Sequence, residues 1–441
     1  MNRLLAATIL FVIAISSPHP AAAAEVSFDL ALKQLHTANE TLQAARMEES
    51  QRESERSAAR GLYFPRIDTN ARFTRIDDPI TITIPQLGTI PVQDDQFWRA
   101  NVSLKWPLFT GGRILAANRA AEAYLEESQE KRRRAESGLI SELARRYYGL
   151  RLAQQVTAVR REVLSGMEHH LSDARKMEEQ GVTARSERLH AEVTQAEADR
   201  EYKRAVRNAA LAQTALNDIL SSREDVTPTS PLFLIRDIGT MEAYREQGLT
   251  GNPALKQLAA QREVAHQGYK KELGTFAPEV FLFGVNEIYR QDLTLLDPRW
   301  AVGVGVTFNL FEGFAGQHRV AAAWKQEKRL EHLHQAGRLS VATLVESRYQ
   351  EVLKALEQYE ALETAGKFAD EYLRIRKSAF AEGYATSLDV VDAELALSKV
   401  KTERLVAVYE FDVALAELLE ASGHSERFEE FRTRSDVEVQ Q

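Results

Sequence analysis

Asp389 and Asp392, two acids three positions apart, are the residues of this sequence best placed to act on charge. On a helix, that spacing puts both carboxylates on one face. Such a pair supports two readings. Just after Ser387, in a first helical turn, the dipole favours an acid at 389 and leaves the acid at 392 simply solvated. If several chains gather about one axis, the same face becomes a ring of carboxylates whose focused negative potential admits or traps cations. Crowding in such a ring would raise the acids' pKa values. Spacing alone leaves both readings open.

Other chemistry is sparse. The chain has ten histidines. His332 and His334 lie two apart, and His169 and His170 are adjacent, so neither pair shares a ligand face and both read as solvated helix surface. No glycine-rich phosphate loop follows a strand and no nucleophile–base pattern occurs, so no catalytic residue, cofactor or metal is expected. With no cysteine there are no disulfides, no thiolate site and no lipidated N-terminal cysteine. A net charge of -8 argues against a nucleic-acid partner, which needs a basic face.

The elements that must position these acids begin after a targeting segment. Met1-Asn2-Arg3, the apolar run Leu4 to Ser16 and the small residues Ala22-Ala23-Ala24 read as a secretory signal peptide over residues 1–24. No later run approaches the roughly 18 apolar residues of a membrane helix.

The remainder is one pattern written twice. Trp106-Pro107-Leu108-Phe109-Thr110-Gly111-Gly112 recurs as Phe308-Asn309-Leu310-Phe311-Glu312-Gly313-Phe314, displaced by 202 positions. The same displacement carries Gly181 onto Gly383, Glu187 onto Asp389 and His190 onto Asp392. Upstream, Asn39, Leu42 and Pro65 match Asn252, Leu255 and Pro278 at 213, so the first copy holds 11 extra residues, placed in a loop between Asp77 and Gln96. The first copy is expected over 25–220, a linker over 221–250, the second copy over 251–422, and a charged, poorly ordered tail over 423–441.

All twelve prolines lie at or before Pro298, and none falls between Pro107 and Pro228. That gap is rich in Ala, Glu, Arg and Leu, and Leu152, Val156, Val159 and Val163 form an apolar helical stripe. Helices are therefore predicted over 113–180 and 186–219, and again over 315–382 and 387–420, with Gly181 and Gly383 capping the hairpin tips. The helix from 113 would reach about 100 Å, and two shorter helices stacked end to end would match it.

Strands are predicted over about 64–76, 97–109, 278–290 and 299–311. Trp98, Ala100, Val102, Leu104 and Trp106 alternate with polar residues, as do Trp300, Val302, Val304, Val306 and Phe308 with small or polar ones. Trp98, Trp106, Trp300 and Phe308 suit the aromatic girdles of a membrane barrel. Four strands cannot close a barrel, and open edges are not tolerated in lipid, so the chain must oligomerise.

This layout, Pro-Leu-Phe-Thr-Gly-Gly-Arg at 107–113, and the tip Gly383-Tyr384-Ala385-Thr386-Ser387-Leu388-Asp389-Val390-Val391-Asp392-Ala393 resemble the TolC-like outer-membrane efflux proteins. The resemblance covers Ser27 to Ser422. It implies a mainly α protein with a membrane β-barrel sector: a duplicated helix-strand-strand-helix repeat, in a homotrimer with a 12-stranded barrel in outer-membrane lipid and a long periplasmic α-helical barrel. Such a trimer is a passive exit duct joined through a periplasmic adaptor to an inner-membrane transporter, for drug efflux or for type I protein secretion. It further implies that Asp389 and Asp392 line the periplasmic entrance, joined by Glu187 and His190 if the first copy faces it too, and that Gly181 and Gly383 dock the adaptor. The family's best-known members carry an arginine where this chain has Ala385, so Arg185 or Arg188 would have to lock the tip from the other hairpin. A periplasmic adaptor or a coiled-coil structural protein is the competing class; both lack the alternating strands.

Overall fold

The computed structural model describes residues 24–86, 88–291 and 298–439. Of the expected signal peptide, residues 1–23 lie outside that range. Two helices of 67 residues each set the scale: α3 (Arg113–Glu179) and α7 (Ala315–Ala381). At 1.5 Å per residue each is about 100 Å long.

Two shorter helices line up along each long one. The first part of α3 runs beside α2 (Glu40–Arg60), where Lys131 and Arg132 pair with Glu48 and Glu49 at 2.7 Å. Its later part runs beside α4 (Arg185–Ile219), through Arg146–Asp218 at 2.7 Å and Arg175–Glu192 at 3.1 Å. In the second copy α6 (Pro253–Leu273) meets α7 at His266–Glu327, 3.0 Å, and α8 (Ser387–Ser422) meets it at Lys377–Glu394, 2.8 Å.

The repeated asparagines explain the junctions. Asn39 separates α2 from α1 (Phe28–Ala38), and Asn252 separates α6 from α5 (Met241–Gly251), each with an extended ψ (118° and 122°) that ends one helix and starts the next. The side-chain oxygen of Asn39 accepts from Leu42 N–H and that of Asn252 from Ala254 N–H. Their amides donate across to the last turn of the returning helix, to Ile219 O at 3.1 Å and Ala421 O at 2.9 Å. Both side chains are buried, and one sequence position does the same task in each copy.

The main core sits at this level. Phe28, Tyr147, Tyr148, Phe233, Phe411 and Phe428 form one aromatic cluster. Tyr147 Oη donates to Val26 O at 2.7 Å and accepts from Thr229 and Ser230 N–H, tying the chain start to the linker. Contrary to the expectation of a poorly ordered tail, the end of the chain belongs to this core. Phe428 is 1 % exposed in α9 (Phe428–Thr433), with its ring 5.0 Å from that of Phe28. Two short strands, β1 (Ala24–Val26) and β6 (Val226–Pro228), pair parallel, and a terminal strand, β10 (Val437–Val439), pairs antiparallel with β7 (Leu232–Leu234) of the linker. The count of charged residues hid two phenylalanines, Phe428 and Phe431, at helical spacing.

Asp412 lies wholly buried beside this cluster, and among the described residues its one hydrogen-bond donor is Phe233 N–H at 3.4 Å. Burial holds its carboxyl well above the usual carboxylate range, only weakly opposed by that bond. An acid with a raised folded-state pKa contributes full stability below its unfolded pKa near about 4, and the contribution falls as pH rises toward the folded value. Asp412→Asn is therefore expected to raise the melting temperature more at about pH 8 than at about pH 4, by about 1.4 kcal/mol per pKa unit removed. Thermal melts at the two pH values measure this; an equal shift at both would refute it.

The strands form a sheet in the order β2 (Arg66–Arg75), β5 (Gln96–Phe109), β8 (Glu279–Arg290), β9 (Trp300–Thr307), antiparallel throughout. Register assigns its faces. Trp106 opposes Leu282, Leu104 opposes Ile67 and Gly284, and Val304 opposes Leu282, so Val280, Leu282 and Gly284 of β8 share the apolar face with Trp98, Trp106 and Trp300. The other face carries Arg66, Asp68, Asn70, Arg99, Lys105, Glu279 and Glu287, with Arg99 and Glu287 2.7 Å apart. Phe281 and Phe283 also lie there, each ring laid over a glycine of β9; a Cβ at Gly305 would fall 2.5 Å from Phe281 and one at Gly303 2.9 Å from Phe283. The outer edges of β2 and β9 have no partner strand among the described residues. A smaller hairpin, β3 (Ile80–Ile84) and β4 (Gly88–Gln93), joins β2 to β5 and holds the first copy's additional residues. Among the described residues no helix is long and apolar enough to cross a membrane.

Candidate functional site at the helical hairpin tips

Both hairpins turn alike. Gly181 (φ 74°) and Gly383 (φ 78°) occupy the left-handed region. Val182 N–H reaches Met177 O and Tyr384 N–H reaches Ala379 O, while the glycine amides donate to Glu178 O and Phe380 O, which is the Schellman closure of a helix end. A Cβ at either glycine would meet nothing within 4 Å, so backbone conformation, not crowding, calls for glycine. The tips are consequently bare and solvent-facing.

After Gly383, Thr386 and Asp389 form a capping box at the start of α8. Thr386 N–H and Oγ1–H both donate to Asp389 Oδ2, at 2.8 and 2.7 Å, and Thr386 Oγ1 accepts from Asp389 N–H. These bonds, helped by Arg376 at 3.7 Å, hold the Asp389 carboxyl below its usual range within one chain. Asp392, one turn on, is exposed.

The first copy's acid does something else. Its helix α4 begins at Ala184, which offers no side-chain cap. Glu187 instead crosses to the second hairpin and accepts Ser387 N–H at 3.0 Å, at the start of α8. Ser387 Oγ is in turn 2.5 Å from His170 Nε2 of α3. Ser387 is fully buried and His170 is 7 % exposed, with its ring against Phe380. Burial lowers the pKa of His170; His190 and Lys377 push the same way, while Asp173 and Glu187 oppose. Among the described residues His190 Nδ1 is buried without a hydrogen-bond partner, and Lys377 pairs with the buried Glu394 at 2.8 Å. The two hairpins are thus clasped, within one chain, by a His170–Ser387–Glu187 contact.

Arg188 does not reach the other hairpin. It pairs at 2.6 Å with Glu178 and at 2.7 Å with Glu192, bracing its own turn. Of the residues in the cross-hairpin contact, the sequence marked Glu187 as a candidate but not its partners His170 and Ser387. His170, expected on a solvated surface, faces inward instead. Its signal was present: the stripe Val156, Val159, Val163 continues through Met167 to His170 and Ala174 in steps of three or four.

The model of the family described as outer membrane efflux protein matches residues 31–222 and 245–424, one segment for each structural copy. The chain belongs to that family. Solved structures of similar fold include the CmeC outer membrane channel of Campylobacter jejuni (13 % identity, TM-score 0.77, covering 93 % of this chain and 90 % of that one). The MtrE outer membrane channel of Neisseria gonorrhoeae, in its open state, matches at 18 % identity and TM-score 0.76, over 90 % and 89 % of the two chains. Protein CyaE of Bordetella pertussis is 24 % identical over 275 residues, so that this chain spans 56 % of that relative. The chain accordingly has the fold of those channels, with a helical and a strand sector.

Three of the four aromatics expected at the membrane interfaces lie within the sheet. Trp98, Trp106 and Trp300 are exposed on the apolar sheet face, Trp300 at 67 %. Phe308 follows immediately after β9, which ends at Thr307.

Proposed function

We propose that three copies join through the open edges of β2 and β9 into a barrel seated in outer-membrane lipid. The helices continue it as a tunnel across the periplasm, and Asp389 and Asp392 of each copy ring its entrance. In that assembly the chain is the exit duct of a tripartite efflux pump, receiving cargo from an inner-membrane transporter through a periplasmic adaptor that docks on the tips at Gly181 and Gly383.

One observation carries the reading: a four-stranded sheet with a tryptophan-bearing apolar face, a charged opposite face and two unpaired edges. An apolar face suits lipid and the charged one an aqueous lumen, and only closure satisfies the edges. The clasp supports a gated entrance, since α8 must part from α3 and α4 for the second hairpin to swing outward. Light scattering of the purified protein in detergent is expected to give a trimer, and planar bilayers containing it are expected to conduct ions. A monomer that leaves bilayers sealed would overturn the proposal. Deleting the gene separates the two cargo classes: drug sensitivity marks efflux, and loss of an exported protein marks type I secretion.

A further inference from the structure

The junction between strands and helices is built twice in each chain. Ahead of β2, helix α2 is followed by a 3-10 turn, Gly61–Tyr63, and Pro65; ahead of β8, helix α6 is followed by the turn Gly274–Phe276 and Pro278. Gly61 and Gly274 are 213 positions apart and share one backbone conformation, φ -56° and -61°. After β5 and β9 come Gly111 and Gly313, 202 apart, with φ 62° and 63°.

One junction is joined and the other is not. A Cβ on Gly274 would fall 2.6 Å from Gly111 O, and one on Gly111 would run into Gly274 O, so the two glycine backbones lock together beside the paired strands β5 and β8. Gly61 and Gly313 stand at the sheet's open edges, where such a Cβ would meet nothing within 4 Å among the described residues. Phe64, Ile67, Phe311 and Phe314 beside them are each at least 60 % exposed.

The repeat also carries strand register. Adding 213 in β2 and 202 in β5 turns the pairs Arg66–Lys105, Ile67–Leu104 and Thr69–Val102 into Glu279–Thr307, Val280–Val306 and Leu282–Val304, which are the observed pairs of β8 with β9. The same shifts convert the β5–β8 pairs into pairs between β9 and β2. Leu104–Gly284 becomes Val306 opposite Ala71, and Trp106–Leu282 becomes Phe308 opposite Thr69. Both set apolar face beside apolar face, whereas a slip of one residue would turn one strand's apolar side to the charged face.

We infer that a neighbouring copy completes the second junction in the geometry of the first: Gly313 locks onto Gly61 of the next copy, and β9 pairs with that copy's β2 with Val306 opposite Ala71. This rests on the trimeric duct reading. Locks within chains then alternate with locks between them around the ring where barrel gives way to tunnel.

Gly61 makes the test selective. Its φ suits any residue and its own chain leaves room for a Cβ, so Gly61→Ala is expected to keep the native circular dichroism yet lose the trimer seen by light scattering in detergent. Gly274→Ala, which meets Gly111 O, is expected to impair folding of the chain itself. A Gly61→Ala trimer as abundant as the native one would refute the lock. Register is read with cysteines, since the chain has none. Opposite residues on antiparallel strands have Cα atoms about 4.5–5.5 Å apart, within disulfide reach. Within one chain β2 and β9 are three strand spacings apart, about 14 Å, and cannot be linked. Ala71→Cys/Val306→Cys, oxidised with copper phenanthroline in membranes, is expected to give covalent dimers and trimers, and Ala71→Cys/Val302→Cys, four residues out of register, none. If the shifted pair links instead, or neither links, in a protein that light scattering shows to be a trimer, the register is wrong and the duct stands. A native chain that is a monomer overturns both.

Discussion

Asp389→Asn/Asp392→Asn is expected to reduce the cation-over-anion selectivity of the open channel about tenfold, at the low end of what focused charge achieves. The expected split between the two positions follows from their surroundings. Asp389 shares its carboxylate with Thr386 and has Arg376 at 3.7 Å, so part of its field is spent within its own chain. Asp392 is exposed and meets the solution directly, and Asp392→Asn alone should carry the larger share. Asparagine at 389 keeps an acceptor for Thr386 N–H, so the helix start survives and a change in selectivity is not a change in folding. Reversal potentials in a salt gradient measure the ratio. Selectivity unchanged in the double variant would remove the acids from the conduction path.

Breaking the clasp is expected to open the entrance. Glu187→Ala leaves Ser387 N–H without its acceptor, a cost of about 1–3 kcal/mol in a partly buried site, and so shifts the closed-to-open balance about 5- to 150-fold. His170 makes the same contact depend on pH. Its folded-state pKa is lowered, so its neutral form holds the clasp at full strength above the ordinary histidine value of about 6.5, and the contribution is lost as pH falls below that value. Acid should therefore loosen the tip. Open probability recorded from about pH 8 to about pH 5 should rise in the native channel and stay flat in His170→Gln. A native pH profile in His170→Gln would show that another group titrates.

The resemblance at the tip reached beyond what spacing could support. From Asp389 and Asp392 alone, a capping acid and a ring of acids were both compatible with the sequence, and the structure shows that the first role is filled by Asp389 in a single chain. Within one chain Arg188 pairs with Glu178 and Glu192 of its own hairpin, and the contact at the start of α8 joins a histidine, a serine and the first copy's own glutamate. Position 187 was legible as the counterpart of 389, but its direction was not, because a side chain's partner depends on which helix lies across from it.

The sequence by itself determined the elements. Proline-free stretches rich in helix formers made two helices of 67 residues, glycines at 181 and 383 made the turns, alternation at 98–106 and 300–306 made two-faced strands, and the duplication ordered them. These are local properties, set by backbone preference and side-chain period. Only the tertiary structure decided which face of β8 is apolar, that the charged tail is folded into the aromatic core through Phe428, and that His170 meets Ser387 across 217 positions. Each of those depends on what a distant segment presents, and burial at a junction of three or four segments is not periodic in any one of them.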